Sequence, residues 1–198
     1  MQVKKADMEQ TILMTARDEF FIHGYEDASL RTIAKKANTS LGNIYHYFPN
    51  KKAMLDRLLE PVVSRIDVFL HEHVSSQKHV TDMKEINRLL EAANFEEEPM
   101  HSLLSKEFAI FIQTKDPDYM KRRDAIMKVF EGHIAWHMHS PKANNHFAAI
   151  ISKMIIECAI HLIRCDDCVK HKKQDMIEMF SMLCRCVAVQ HTDEEDPS

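Results

Sequence analysis

This sequence predicts an all-α protein in two parts, a small N-terminal three-helix unit and a larger helical body, and three observations carry the prediction. Only three of its 198 residues are Gly and six are Pro, against thirteen Met and abundant Leu, Ile and Ala, a composition that favours helices over a turn-rich sheet. Apolar residues recur at the i, i+3, i+4, i+7 spacing of an amphipathic helix in one segment after another. Residues that start or stop helices stand at the segment ends, Gly24, Ser40, Asn50 and the Asp116-Pro117 pair among them.

The first helix is expected over Ala6 to His23, with Ile12, Leu13, Ala16 and Phe20 facing inward and Gly24 as its stop. The second, Leu30 to Ala37, carries Leu30, Ile33, Ala34 and Ala37 on one face, with Ser29 at its N-cap. Asn38 and Thr39 interrupt the pattern, and Asn tolerates the left-handed backbone that a tight turn needs where Gly is absent. Ser40 then caps a third helix, Leu41 to Phe48. Ile44 and edges of Tyr47 and Phe48 turn inward there, leaving Leu41, Asn43, Tyr45 and His46 outward. Pro49 and Asn50 end it, and Asn50 caps a fourth helix with Lys51 and Lys52 in its first turn. Two lysines oppose the helix dipole at that place, and a neighbouring phosphate would relieve them.

Charge marks the same stretch. Residues 29–52 hold five Lys and Arg and no Asp or Glu, although the whole chain carries a net charge of -4. The acidic residues of the first 60 lie outside it, which leaves a local basic surface suited to phosphate.

At S-L-G-N-I-Y-H-Y-F-P-N-K-K-A-M-L the chain resembles the second half of the helix-turn-helix of TetR-family (tetracycline-repressor-like) transcriptional regulators. Upstream, F-F-I-H-G-Y-E-D-A-S-L-R-T-I-A is similar to that family's aromatic-x-x-x-Gly-aromatic link and the helix after it. Asn38 stands where the family often has Gly, and Ser29 where it often has Thr. The resemblance covers about the first 60 residues. It implies a DNA-binding domain at 1–50 and a helical effector-binding and dimerisation domain at 51–190, while the run of Asp193, Glu194, Glu195 and Asp196 marks an acidic tail at 191–198, expected to be disordered. It further implies that Ser40, Leu41, Gly42, Asn43 and Tyr45 approach bases or their flanking phosphates, with Ser29, Arg31 and Thr39 in the same DNA-facing set, and that His46 and Lys51 contact the DNA backbone.

In the fourth helix Met54, Leu55, Leu58 and Leu59 point inward before Pro61. That proline either kinks the helix near Glu60 or ends one helix and begins the next. The pattern resumes through Val62, Ile66, Phe69 and Leu70. Further helices are expected at about Val80 to Ala93, Pro99 to Thr114, Pro117 to Met138, Asn144 to Arg164 and His171 to Val189, with Ser140-Pro141 as a stop and Glu96 to Glu98 as a solvated loop. No run of about 18 apolar residues is seen, so no membrane span is expected. The opening residues, with Lys4, Lys5, Asp7 and Glu9, lack a signal-peptide core, so a cytoplasmic location is expected. All five cysteines fall between Cys158 and Cys186, an odd number expected as reduced thiols.

The last two helices carry wide apolar stripes. Phe147, Ile150, Ile151, Met154, Ile155, Cys158 and Leu162 on one, and Met176, Met179, Phe180, Leu183 and Val187 on the other, would meet their symmetry mates in a four-helix bundle, as the resemblance implies, or else close the body of a monomer. The resemblance also implies a pocket for a small-molecule effector. Phe108, Phe111, Met127, Phe130, Trp136, Met138 and Met154 are its candidates by type and region. Two clusters suggest an alternative, a metal- or thiol-responsive sensor. His133 and His137 lie four apart with His139 close after, and Cys165 and Cys168 form a Cys-x-x-Cys flanked by His161 and His171. A pair of imidazoles is too few ligands, and Asp166 and Asp167 would raise a thiol pKa rather than lower it. No catalytic motif or nucleotide fingerprint is present, so no enzyme activity and no cofactor are expected. The expected partners are palindromic operator DNA, a small-molecule effector and a second copy of the chain.

Overall fold

The protein is described by a computed structural model that covers residues 2–75, 88, 100–137, 145–165 and 169–188. Among these residues every regular element is helical. In chain order they are α1 (Gln2–His23), α2 (Leu30–Lys36), α3 (Leu41–Tyr47), α4 (Lys51–Ser75), α5 (Met100–Leu103), α6 (Lys106–Gln113), α7 (Pro117–His137), α8 (Asn145–Arg164) and α9 (Val169–Ala188). The helix expected at Val80 to Ala93, the Glu96–Glu98 loop, the Ser140-Pro141 stop and the acidic tail lie outside the described residues, Arg88 excepted, which is helical.

The chain divides into two compact units. One comprises Met1–Asp67 and Ser105–Asp124, the other Val68–Leu104 and Ala125–Ser198. The first therefore takes in α4 as far as Asp67, α6 and the start of α7 in addition to the three N-terminal helices. Its core is Ile12, Ala16 and Phe20 of α1, Ile33 and Ala34 of α2, Ile44 of α3, Met54, Leu55 and Leu59 of α4, and Phe108 and Phe111 of α6, all buried. Burying such side chains contributes about 1.5–3 kcal/mol each before chain entropy is subtracted.

Turn chemistry sets the helix ends. Gly24 stops α1 with a φ of 82°, and its N–H donates to the Phe20 carbonyl at 2.9 Å. Asn38 takes a φ of 49° between α2 and α3, the left-handed turn its residue type suggested. The Ser40 hydroxyl accepts from Asn43 N–H at 3.1 Å, and Asn50 Oδ1 accepts from Ala53 N–H at 2.8 Å. Ser29 occupies the N-cap of α2 without making a side-chain cap bond. Asp116 Oδ1 accepts from Asp118 and Tyr119 N–H at 3.2 and 3.3 Å, starting α7 at Pro117.

Two expectations change. α4 runs through Pro61 as one helix, so of the alternatives only a proline inside a continuous helix remains, and the break or restart there is overturned. Pro61 lies on the exposed side, where a carbonyl deprived of its donor can reach water, while buried Leu58, Leu59, Val62 and Val63 hold the turns on either side. The single helix expected over Pro99 to Thr114 is interrupted between α5 and α6. The Ser105 hydroxyl accepts from Phe108 N–H at 3.1 Å and caps α6 anew.

In the second unit, Leu162 and Met176 pack with Leu104 and Met179, and Ile151 and Ile155 pack with Phe130, Ile134, Phe147 and Met179. His146–Arg164 of α8 is long and apolar enough, by length and composition alone, to cross a bilayer. Its Lys153 and Glu157 are exposed, however, and its Ile151 and Ile155 belong to the unit's own core.

Candidate nucleic-acid interface

A helix-turn-helix reads DNA when its second helix presents small and polar side chains on a firmly packed base. α3 fits that description. Ile44 is fully buried and Phe48 nearly so, while Gly42, Tyr45 and His46 are exposed, Tyr45 at 50%, and Leu41 and Asn43 are half-buried. Asn43 is held from behind: its Nδ2 donates to Thr39 Oγ1 at 2.7 Å. The other amide proton and Oδ1 remain for a base edge. A Cβ on Gly42 would meet nothing closer than Ser40 Oγ at 3.9 Å, so packing within the chain does not require a glycine there. The His46 ring rests edge-on against Tyr47, with centroids 5.3 Å apart.

The base under α3 is braced from α1. Glu19, almost completely buried, meets Lys36 Nζ at 2.6 Å and His23 Nε2 at 3.9 Å, so that α2 is tied to α1 by an ion pair as well as by apolar contact. Phe20 and Tyr25, the two aromatics that flank Gly24, stack edge to face at 5.3 Å.

Residues 105–124 brace the unit through a polar network. Lys106 Nζ bonds Asp18 at 2.9 Å, and Arg17 lies 3.6 Å from Glu107. The Glu26 carboxylate accepts from Lys115 N–H at 2.6 Å and from the Thr114 hydroxyl at 3.2 Å. Fully buried Tyr119 donates to Asp56 at 3.0 Å, and Arg122 meets Glu60 at 2.5 Å. Burial, the hydrogen bond to Asp56 and the charges of Asp56 and Glu60 push the Tyr119 hydroxyl far above its usual pKa. For Glu26 and Asp18, burial acts to raise the carboxyl pKa. Their hydrogen-bond donors outweigh it, Lys115 N–H leading for Glu26 and Lys106 for Asp18, and both end below the usual carboxylate range.

This network changes the reading of the basic stretch. Lys36 is paired with Glu19, and Lys52 with Asp56, with Asp116 and Asp118 at 3.7 and 3.8 Å. Burial acts to lower the Lys52 pKa, but its hydrogen bond to Asp56 and the three carboxylates raise it on balance. Lys51, expected to face phosphate, instead sends its ammonium to the carbonyls of Tyr25, Glu26 and Ala28. Arg31 and Lys35, both exposed, are the two cations of the five that pair with no acid among the described residues, and Ser29, close by in sequence, is exposed as well. The basic surface is thus narrower than composition suggests. Apart from Asp56, one turn from Lys52, the partners are remote in sequence: Glu19 for Lys36, Asp116 and Asp118 for Lys52, and the carbonyls of the α1–α2 link for Lys51.

The family model for bacterial regulatory proteins, tetR family, matches residues 12–58, the span from the buried face of α1 to the first turns of α4. Residues 12–58 thus resemble the tetR family of bacterial regulatory proteins. The chain is 32% identical over 66 residues to the uncharacterised HTH-type transcriptional regulator YdgC of Bacillus subtilis (strain 168), a match covering 33% of this chain and 34% of that one. It is 27% identical over 88 residues to the HTH-type transcriptional regulator BetI of Yersinia pestis (strain Pestoides F), covering 44% of each. The matches thus span between a third and a half of these relatives' length. A TetR-like transcriptional regulator from Rhodococcus sp. RHA1 shares the fold with a TM-score of 0.54 at 15% identity, over 95% of this chain and 97% of that one. The fold likeness covers nearly the whole chain and so extends beyond residues 12–58 into the helical body.

The other expected sites are distributed differently. Phe108 and Phe111 are core residues of the first unit, Phe111 edge-on to Tyr119 at 6.3 Å, whereas Met127, Phe130 and Met154 belong to the second. The structure therefore does not gather the seven pocket candidates in one unit; Met138 and the side chain of Trp136 lie outside the described residues. Of the expected dimer residues, Ile151, Ile155, Leu162 and Met176 are already covered within the protomer. Met154 is exposed at 44%, Cys158 and Met179 are intermediate, and the side chains of Phe180, Leu183 and Val187 lie outside the described residues. Among the described residues no group of three His, Cys, Asp or Glu could hold a metal ion. His139, Cys168 and the His137 side chain are outside them, and Cys158 and Cys165 are free thiols.

Proposed function

We propose that this protein is a sequence-specific, DNA-binding transcriptional regulator, a repressor that a small-molecule effector releases from its operator. The observation that carries the reading is the α3 surface: Gly42, Asn43, Tyr45 and His46 presented outward from a helix whose opposite side is locked by Ile44 and Phe48. Small, polar and aromatic side chains presented from a packed helix in this way suit a major groove. Asn43 reads a base edge, Ser29, Arg31 and Lys35 meet phosphates, and Tyr45 and His46 flank them. Leu41, Thr39 and Ser40 shape the helix start against the groove. The location that goes with this role is the cytoplasm.

The dimer seam of this reading moves to the side of α8 that the protomer leaves open, where Ile150 and Met154, one turn apart, are 53% and 44% exposed. A twofold dimer would present two α3 helices, so the operator is an approximate palindrome with half-sites about 34–36 Å, or a multiple, apart. The effector site falls to the second unit, near Met127, Phe130 and Ile134, apolar and adaptable enough for an apolar guest. The experiment is selection of duplexes from a random library by the purified protein, followed by binding titrations with Asn43→Ala. Loss of preference for the selected duplex, about 10- to 100-fold for a bidentate contact, is expected. Equal loss on selected and random DNA would contradict base reading by Asn43.

A further inference from the structure

We infer that Lys51 is a positioning residue that staples the two ends of the reading segment together, and that it does not contact DNA phosphate; the inference rests on the DNA-binding reading above. The Lys51 ammonium donates to the carbonyl oxygens of Tyr25, Glu26 and Ala28 at 2.7, 2.9 and 3.2 Å, which occupies all three of its protons. It also lies 4.7 Å from the centre of the Tyr25 ring. Those carbonyls belong to the link between α1 and α2, whose turn closes with Ala28 N–H on the Gly24 carbonyl at 3.1 Å. Three carbonyls converging on one point have no backbone donor among them. The ammonium satisfies them all.

The geometry has a topological consequence. The three bonds join residues 23 to 26 positions apart in sequence, and everything between the partners is α2, the turn at Asn38, α3 and the Asn50 cap. Lys51 therefore closes the helix-turn-helix into a ring and fixes the direction in which α3 leaves its base. The link is held from its other side too, because the Glu26 carboxylate bonds Lys115 N–H and Thr114. The arrangement also accounts for a lysine in the first turn of α4, where the dipole disfavours it: the carbonyls replace the phosphate as counter-charge.

A staple and a phosphate contact give opposite results in two measurements. Binding to a duplex selected by the unmodified protein is measured against salt concentration for Lys51→Met, Lys51→Arg, Arg31→Ala and the unmodified protein. Lys51→Met is expected to weaken specific binding by about tenfold or more with the salt slope unchanged. Lys51→Arg is expected not to restore it, because a planar fork cannot aim three donors at one tripod of carbonyls. Arg31→Ala, which removes an unengaged cation, should flatten the slope by about 1. Amide hydrogen exchange of residues 24–31 should accelerate in Lys51→Met. A slope flattened by about 1 in Lys51→Met, or full rescue by Lys51→Arg, overturns the staple. If Lys51→Met does not fold, the Lys51→Arg arm still decides. If the unmodified protein binds no duplex with salt dependence, it is the DNA-binding reading that fails, a result distinct from either.

Discussion

Among the described residues the two units differ in what holds each one together. In the first, large side chains from five helices are buried to the point of near-zero exposure, and its rim is laced by ion pairs and hydrogen bonds from residues 105–124 to α1, the α1–α2 link and α4. In the second, the described buried residues are mostly aliphatic side chains of α8, with Ile126 of α7 and Met176 of α9, and Ile150, Met154 and Met182 are about half exposed. A device that must present a fixed helix to DNA benefits from the first kind of construction. A body that must pair and accept a guest benefits from the second, because surface left apolar is surface a partner can cover.

The contrast can be broken most directly at a buried aromatic. Phe111→Ala should destabilise the protein by about 3–5 kcal/mol, read by urea unfolding, whereas Met154→Ala should cost the isolated protomer almost nothing. Comparable losses at both sites would erase the distinction. Replacing Ile150 and Met154 together by Asp should leave the protomer folded and convert a dimer to a monomer in sedimentation. A dimer that survives puts the seam elsewhere.

Smaller effects sharpen the picture at the rim. Asn50→Ala should cost about 1 kcal/mol by removing the α4 cap, and its effect should appear in thermal unfolding. The acid response follows from the depressed carboxyls. Glu26 and Asp18 contribute fully above their ordinary values of 4.5 and 3.8, and the contribution is lost as pH falls through their lower folded values. Glu26→Gln should therefore lower stability at pH 7 by on the order of 1 kcal/mol at most, and the difference from the unmodified protein should vanish by strongly acid pH. A difference that grows on acidification would mean that Glu26 is not held as a carboxylate by Lys115 and Thr114.

What was legible in the sequence was local. Ser40, Asn50, Gly24, Asn38 and Asp116 act within a few residues of themselves, and each does in the structure what its side chain suggested. The α3 face was legible for the same reason, since Ile44 and Phe48 against Tyr45 and His46 is a matter of helical period. Illegible were the pairings across long separations: Lys115 finds Glu26 from 89 residues away and Tyr119 finds Asp56 from 63. Hence the incorporation of residues 105–124 into the first unit, and the engagement of Lys36, Lys51 and Lys52 by the chain itself, could not be read from a count of positive charges. The α8 stripe was legible only as a stripe. Periodicity located an apolar helix but not which part of it the protomer covers, so Ile151 and Ile155 proved internal and Ile150 exposed.

The central claim is that α3 reads sequence while only the few cations outside the chain's own ion pairs meet phosphate. Its most direct test is the affinity of the purified protein for a selected duplex and for a random duplex, each measured across a range of salt concentrations. The expected result is tighter binding to the selected duplex by about 10³-fold or more at physiological salt, with a modest negative salt slope shared by both. Equal affinity for the two duplexes, or binding indifferent to salt, would contradict it.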